Sequence, residues 1–127
     1  MTALLNVKNI DKSFGRLNAN KNISFEVASG EIVAILGENG AGKTTLMNII
    51  FGHYVADSGL INFNGNELKA GDTKAAIDAG IGMVHQHFTL AENLTVLENI
   101  LVGTQPLYQP RLSERKAKEK LKYLATE

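Results

Sequence analysis

The sequence predicts an α/β fold with an antiparallel β portion at its N-terminal end. Three observations carry that reading. Ile23, Phe25 and Val27 alternate with Ser24, Glu26 and Ala28, the period of two expected of a strand with one buried face. The run Ile32-Val33-Ala34-Ile35-Leu36 is apolar and rich in β-branched residues, as in a strand buried on both faces. After a glycine-rich turn, Leu46, Ile49 and Ile50 recur at helical spacing.

Each element has its own signal. Leu4, Val7 and Ile10 begin an N-terminal strand region, and Ser29-Gly30-Glu31 turns the chain into a buried strand over 31–36. A helix follows over 44–51, with Gly52 as its stop. Asp57-Ser58-Gly59 leads into a short strand, Leu60 to Phe63, and Asn64-Gly65 is a strong turn signal. Asp72 is placed to cap a short helix over 73–79 that Gly80 ends. Ile81 to Val84 reads as another strand. Thr95 and Glu98 form a capping box that opens a helix through Val102. Pro106 and Pro110 bracket a loop, and Ser113 caps a last helix with six basic and two acidic residues between Arg111 and Lys122. Its Glu114 and Lys118 form a favourable i,i+4 pair, and its basic face reads as solvated.

Bulk properties exclude several function classes. The 127 residues suit one domain. Thirteen basic and thirteen acidic residues cancel, so charge gives no case for nucleic acid or an anionic membrane surface. The absence of cysteine removes disulfides and thiolate metal sites and fits a cytosolic setting. No apolar stretch approaches the roughly 20 residues that span a bilayer.

The chemistry lies in residues 37–45, Gly-Glu-Asn-Gly-Ala-Gly-Lys-Thr-Thr. With a strand before it and a helix after it, this is a complete phosphate-binding loop. Gly37, Gly40 and Gly42 let the backbone turn and approach an anion. The N–H groups from Asn39 through Ala41 to Thr45 are expected to point inward, where the helix dipole favours negative charge. Lys43 would reach the β- and γ-phosphates and Thr44 would place its hydroxyl on Mg2+. The motif implies nucleoside triphosphate binding. His85 and His87, two apart, would share a face on a strand, but without cysteine or a nearby third ligand they do not make a metal site.

Four segments together resemble the ATP-binding subunit of an ABC transporter. They are Lys12-Ser13-Phe14-Gly15, the loop itself, Asp57-Ser58-Gly59 leading to Ile61 and Asn64-Gly65, and the stretch from Gly80 to Phe88 containing Met-Val-His-Gln-His-Phe. The last is most similar to importer ATPases for simple sugars and nucleosides. The resemblance implies a partial P-loop NTPase nucleotide-binding domain, with an ATP-binding core over about residues 1–90 and the start of a helical subdomain over about 91–127. It implies ATP and Mg2+ as cofactors, adenine stacked on Phe14, and Gln86 contacting the metal and the attacking water. Lys43 and Gln86 would be the catalytic residues of the set. The implied partners are transmembrane permease subunits, a second nucleotide-binding domain and, indirectly, a solute-binding protein, but no nucleic acid. The implied location is the cytoplasm, peripheral on the inner face of the membrane.

Physical chemistry supports the two outlying assignments. An aromatic face stacks on any nucleobase, for about 1–3 kcal/mol. A neutral amide such as Gln86 both accepts from water and donates to a phosphate oxygen. The family's Leu-Ser-Gly-Gly-Gln-like signature, its strand ending Asp-Glu and its switch histidine do not occur here. The nearest approach to that strand, Ala75-Ala76-Ile77-Asp78, has a helical pattern. The chain therefore reads as about the first half of one such domain, the C-terminal half being absent. It is expected to be inactive as an ATPase by itself, with strand edges open to self-association. The alternatives are part of a non-transport ABC ATPase, or a nucleotide-binding or assembly module without catalysis.

Overall fold

A computed structural model describes residues 3–85, 90–101 and 114–124. The chain divides into two compact units, 1–84 and 85–127. The first holds a four-stranded antiparallel sheet and two helices. Strands β1 (Leu5–Phe14), β2 (Leu17–Val27), β3 (Ser58–Phe63) and β4 (Asn66–Glu67) lie in the order β2-β1-β3-β4. Helix α1 (Lys43–Ile50) follows the glycine loop and α2 (Thr73–Ala79) follows β4. In the second unit, α3 (Val96–Leu101) and α4 (Glu114–Leu124) contact each other.

The core sits between the sheet and α1. Val7, Ile10 and Ile61 from the sheet meet Leu46, Ile49 and Ile50 from the helix, all buried. Burying each such side chain contributes about 1.5–3 kcal/mol at most, so the helix is fixed by its apolar face. Val7 and Ile10 are three apart, yet both are buried. The β1–β2 register slips between Val7↔Phe25 and Ile10↔Ile23, then slips back by Lys12↔Asn20. Asn9 and Asn22, both at φ 50, stand at these two bulges, and Asn9 Nδ2 donates to Asn22 Oδ1 at 2.6 Å. Each bulge moves the alternation by one residue.

Local signals appear at the expected places. Asn64 (φ 49) and Gly65 (φ 79) make the β3–β4 turn. Asp72 Oδ1 accepts the Ala75 N–H at 2.9 Å and caps α2, and Ile81 N–H returns to Ala76 O past Gly80. Ala75 to Asp78 lie inside α2, so this stretch is no strand end. Helix α1 is capped by Phe51, with Gly52 following at φ 82. In the second unit Glu98 accepts the Thr95 N–H at 2.7 Å, and Glu98 N–H donates to Thr95 Oγ1 at 3.3 Å, closing the capping box. Arg115 and Glu119 pair at 3.6 Å along α4. Val102 and Ser113, expected at helix ends, lie outside the described residues.

Two expected strands are not strands. Segments 31–36 and 81–84 join no ladder, and Ile32 is 97% and Leu36 90% exposed, so 31–36 is not buried either. A strand exists only where a neighbour takes its N–H and C=O groups, and the antiparallel sheet closes without these segments. Val33 and Ile35 instead line an apolar groove of about 400 Å³ with Leu5, Phe25, Met47 and Ile50. Solvent reaches all of 31–36, Val33 and Ile35 less than Ile32 and Leu36.

Candidate functional site: a glycine loop at a helix start

The loop 37–42 delivers the chain to α1 through two left-handed residues, Gly40 (φ 85) and Gly42 (φ 83). Gly42 is the more constrained. A Cβ there would lie 1.9 Å from the Ala19 carbonyl oxygen and 2.9 Å from Asn20 Nδ2. The helix start is therefore seated directly on β2. Asn20 Nδ2 donates to Gly42 O at 3.2 Å, and the same oxygen accepts the Leu46 N–H at 2.9 Å. Asn20 is buried at 6% exposure, and its Oδ1 has no hydrogen-bond partner.

No side chain caps the N-terminal end of α1, and its first turn carries no acidic residue. Its polar side chains are those of Thr44, which is exposed, and of Lys43 and Thr45, which are half-buried. That end carries partial positive charge from unsatisfied N–H groups. Lys43 Nζ folds over the loop and donates to Gly37 O at 2.5 Å and Glu38 O at 2.7 Å. A Cβ on Gly37 would meet Ala41 Cβ at 3.1 Å and Lys43 Cδ and Nζ at 3.8 Å, so a bare residue lets the lysine lie close. One expectation changes. The Ala41 N–H does not face inward for an anion, because it donates to Glu38 O at 3.1 Å and closes the loop's own turn.

Phe14 ends β1 and is 45% exposed. The Tyr54 ring meets it edge-on, with centroids 5.8 Å apart and planes at 73°. Lys12 Nζ lies 5.3 Å from its centroid. Gln86, His87 and Phe88 lie outside the described residues. The structure therefore joins Lys43, Thr44 and Thr45 to the glycines on one helix end and sets Phe14 at the tip of the strand pair on which that end rests. Among the described residues no group of three potential metal ligands occurs, and no helix is long and apolar enough to cross a membrane.

Asn20 escaped sequence reasoning for a definite reason. The alternation Ile23, Phe25, Val27 places odd-numbered residues inward, and the Asn22 bulge turns the inward set to even numbers before Asn20 is reached. A pair of asparagines at matched places in two adjoining strands was the available signal.

Two left-handed glycines lead into an uncapped helix start with a lysine folded over the loop, an arrangement open to an anion. The ABC transporter family model matches residues 20–127, and the chain belongs to that family. It is 45% identical over 117 residues to the guanosine import ATP-binding protein NupO of Bacillus subtilis, covering 92% of this chain and 23% of that protein. Against the glucose import ATP-binding protein TsgD13 of Haloferax volcanii the identity is 52% over 99 residues, 78% of this chain and 18% of that one. The chain thus spans about a fifth of the length of these relatives. Among solved structures, the ATP-binding cassette MJ1267 superposes with a TM-score of 0.73 at 31% identity, over 94% of this chain and 46% of the cassette. The cassette MJ0796, bound to ADP and phosphate, gives 0.70 at 28% identity, over 95% of this chain and 56% of its own. The α/β class expected from sequence is the class of these neighbours.

Proposed function

We propose that the chain is the ATP-binding N-terminal part of an ABC importer ATPase, of the type that serves simple sugars or nucleosides. The observation that carries this reading is Lys43. Its ammonium rests on two loop carbonyls, Gly37 O and Glu38 O, directly above an uncapped helix start. Those two contacts are ones that phosphate oxygens can replace, with a stronger charge-assisted bond. In this reading Lys43 takes the β- and γ-phosphates, and the backbone of Gly40 and of Gly42 to Thr45 cradles them. The fit to Mg2+ is chemical: Thr44 is exposed at the first turn, with a neutral oxygen and no competing carboxylate in that turn. Thr44 and Gln86 would hold the ion, which neutralises charge on the phosphoryl oxygens. Phe14 would stack on adenine. The relatives named as import ATP-binding proteins support the importer reading. The cassette would then work at the cytoplasmic face with permease subunits and a second cassette, and with a solute-binding protein indirectly. Neutral net charge disfavours a nucleic-acid role.

Calorimetric titration of ATP into the full-length protein tests the site. Lys43→Ala should abolish measurable binding, and unchanged affinity overturns the assignment. Residues 1–127 alone should show no Mg2+-dependent hydrolysis above background, because phosphoryl transfer also needs groups that polarise the nucleophile. Lys43-dependent turnover by this chain would overturn that second statement.

A further inference from the structure

The surroundings of Phe14 are more ordered than a strand tip requires. Asp57, at the entrance to β3, grips the last residues of β1. Its Oδ1 accepts Lys12 Nζ at 2.9 Å, its Oδ2 accepts the Ser13 N–H at 2.6 Å, and its own N–H donates to Asp11 O at 2.8 Å. Three consecutive residues, 11 to 13, are thus tied to one aspartate, and Phe14 comes next. The Lys12 side chain is only 16% exposed, and its held ammonium lies 5.3 Å from the Phe14 ring centroid. From another side the Tyr54 ring meets Phe14 at 73°. Both rings still present surface to solvent, 45% for Phe14 and 42% for Tyr54.

The position of this cluster relative to the loop is set by the sheet. Gly42 sits on Ala19 and Asn20. Asn20 pairs with Lys12 across the ladder, and Lys12 is two residues from Phe14. At the rise of an extended strand, that is about 7 Å along β1. The strand pair therefore ties the place of the ring to that of the loop.

We propose that Asp57 and Tyr54 are positioning residues for a nucleobase on Phe14. Asp57 fixes the strand end and the lysine beside the ring, and Tyr54 limits the ring's rotation. Neither touches phosphate, so both act on the base end of the ligand alone. This rests on the reading that the loop takes a nucleoside triphosphate and that Phe14 stacks on its base.

The test compares two probes by calorimetry on the full-length protein: ATP, and inorganic tripolyphosphate, which has no base. Asp57→Asn keeps an acceptor for the Ser13 N–H and removes the charge that holds Lys12. Tyr54→Leu removes the edge-on ring. Each should weaken ATP by about two- to tenfold, the scale of one lost aromatic contact, and leave tripolyphosphate unchanged. Tyr54→Phe, which keeps the ring, should bind ATP as the parent does. Equal loss for both probes would make the residue a general structural tether, and no loss for ATP would remove it from the site. Either result overturns the assignment of that residue. Lys43→Ala, run in parallel, should lose both probes. If it loses neither, the phosphate-loop reading fails independently of this one.

Discussion

Strand β1, where a few apolar residues stand among polar ones, and the segment 31–36, a continuous apolar run after Glu31, have opposite fates. Strand β1 is paired on both sides, with β2 and β3, and its Val7 and Ile10 are each 1% exposed. Segment 31–36 has the stronger hydrophobic run, yet Ile32 is 97% exposed and no ladder includes it. The difference is one of neighbours. A tight turn gives β1 its partner β2, and β3 comes back to its other edge from more than 40 residues on, whereas 31–36 has no partner strand on either side among the described residues. β-Propensity therefore states what a segment can do once a ladder is offered.

Substitutions can break or sharpen this contrast. The largest expected effect is Ile10→Ala. Loss of a fully buried side chain should cost about 2–5 kcal/mol in urea unfolding. A cost below about 1 kcal/mol would mean that the sheet–helix core is not what holds the first unit together.

Gly42→Ala comes next, because its Cβ would enter the Ala19 carbonyl and its φ is 83. Overpacking and left-handed strain together should cost about 2–4 kcal/mol. Gly40→Ala, also at positive φ but with open space around it, should cost only about 1 kcal/mol. Equal effects at the two sites would show that the loop is not pinned to β2.

Asp72→Ala should have a smaller effect, dependent on pH. The Ala75 N–H, and then Lys69, hold the Asp72 carboxyl below its ordinary value of 3.8. A depressed folded-state pKa gives stability that is present above 3.8 and lost as pH falls through the lower folded value. The Tm gap between parent and variant should accordingly be full at pH 7 and close below pH 3.8. A gap independent of pH would mean that the cap acts through shape instead of charge.

The smallest effect belongs to Ile32→Ala in the 127-residue chain, within about 0.5 kcal/mol of zero for a surface position. A large loss there would mean that 31–36 is paired in solution, and the contrast with β1 would collapse.

Much of this was legible in the sequence, because local chemistry decided it. The Asn64-Gly65 turn, the Asp72 cap, the Thr95–Glu98 box and the buried face Leu46-Ile49-Ile50 each depend on residues within a few positions of one another. The glycine loop was legible for the same reason. Asn20, Tyr54 and the grip of Asp57 on the end of β1 were not. Asn20 lies 22 residues from the carbonyl it holds, and Asp57 lies 45 from its lysine. Only the folded sheet makes them neighbours. The strand predicted over 31–36 failed from the opposite side: its local pattern was strong, but strand formation depends on a ladder that local pattern does not supply.

The paired bulges at Asn9 and Asn22 have a consequence for how this hairpin can change. Each adds one residue to its own strand, the second slip cancels the first by Lys12↔Asn20, and a third slip between Lys12 and Ser13 shifts the Phe14 end by one. Deleting either asparagine alone would break the Lys12↔Asn20 pairing and turn Lys12 or Asn20 to the wrong side. Deleting both together would leave the pairing sum intact. The two positions are thus compensating insertions, bonded to each other at 2.6 Å. Loss of one would call for loss of the other to keep the core end and the Lys12↔Asn20 pair in one register.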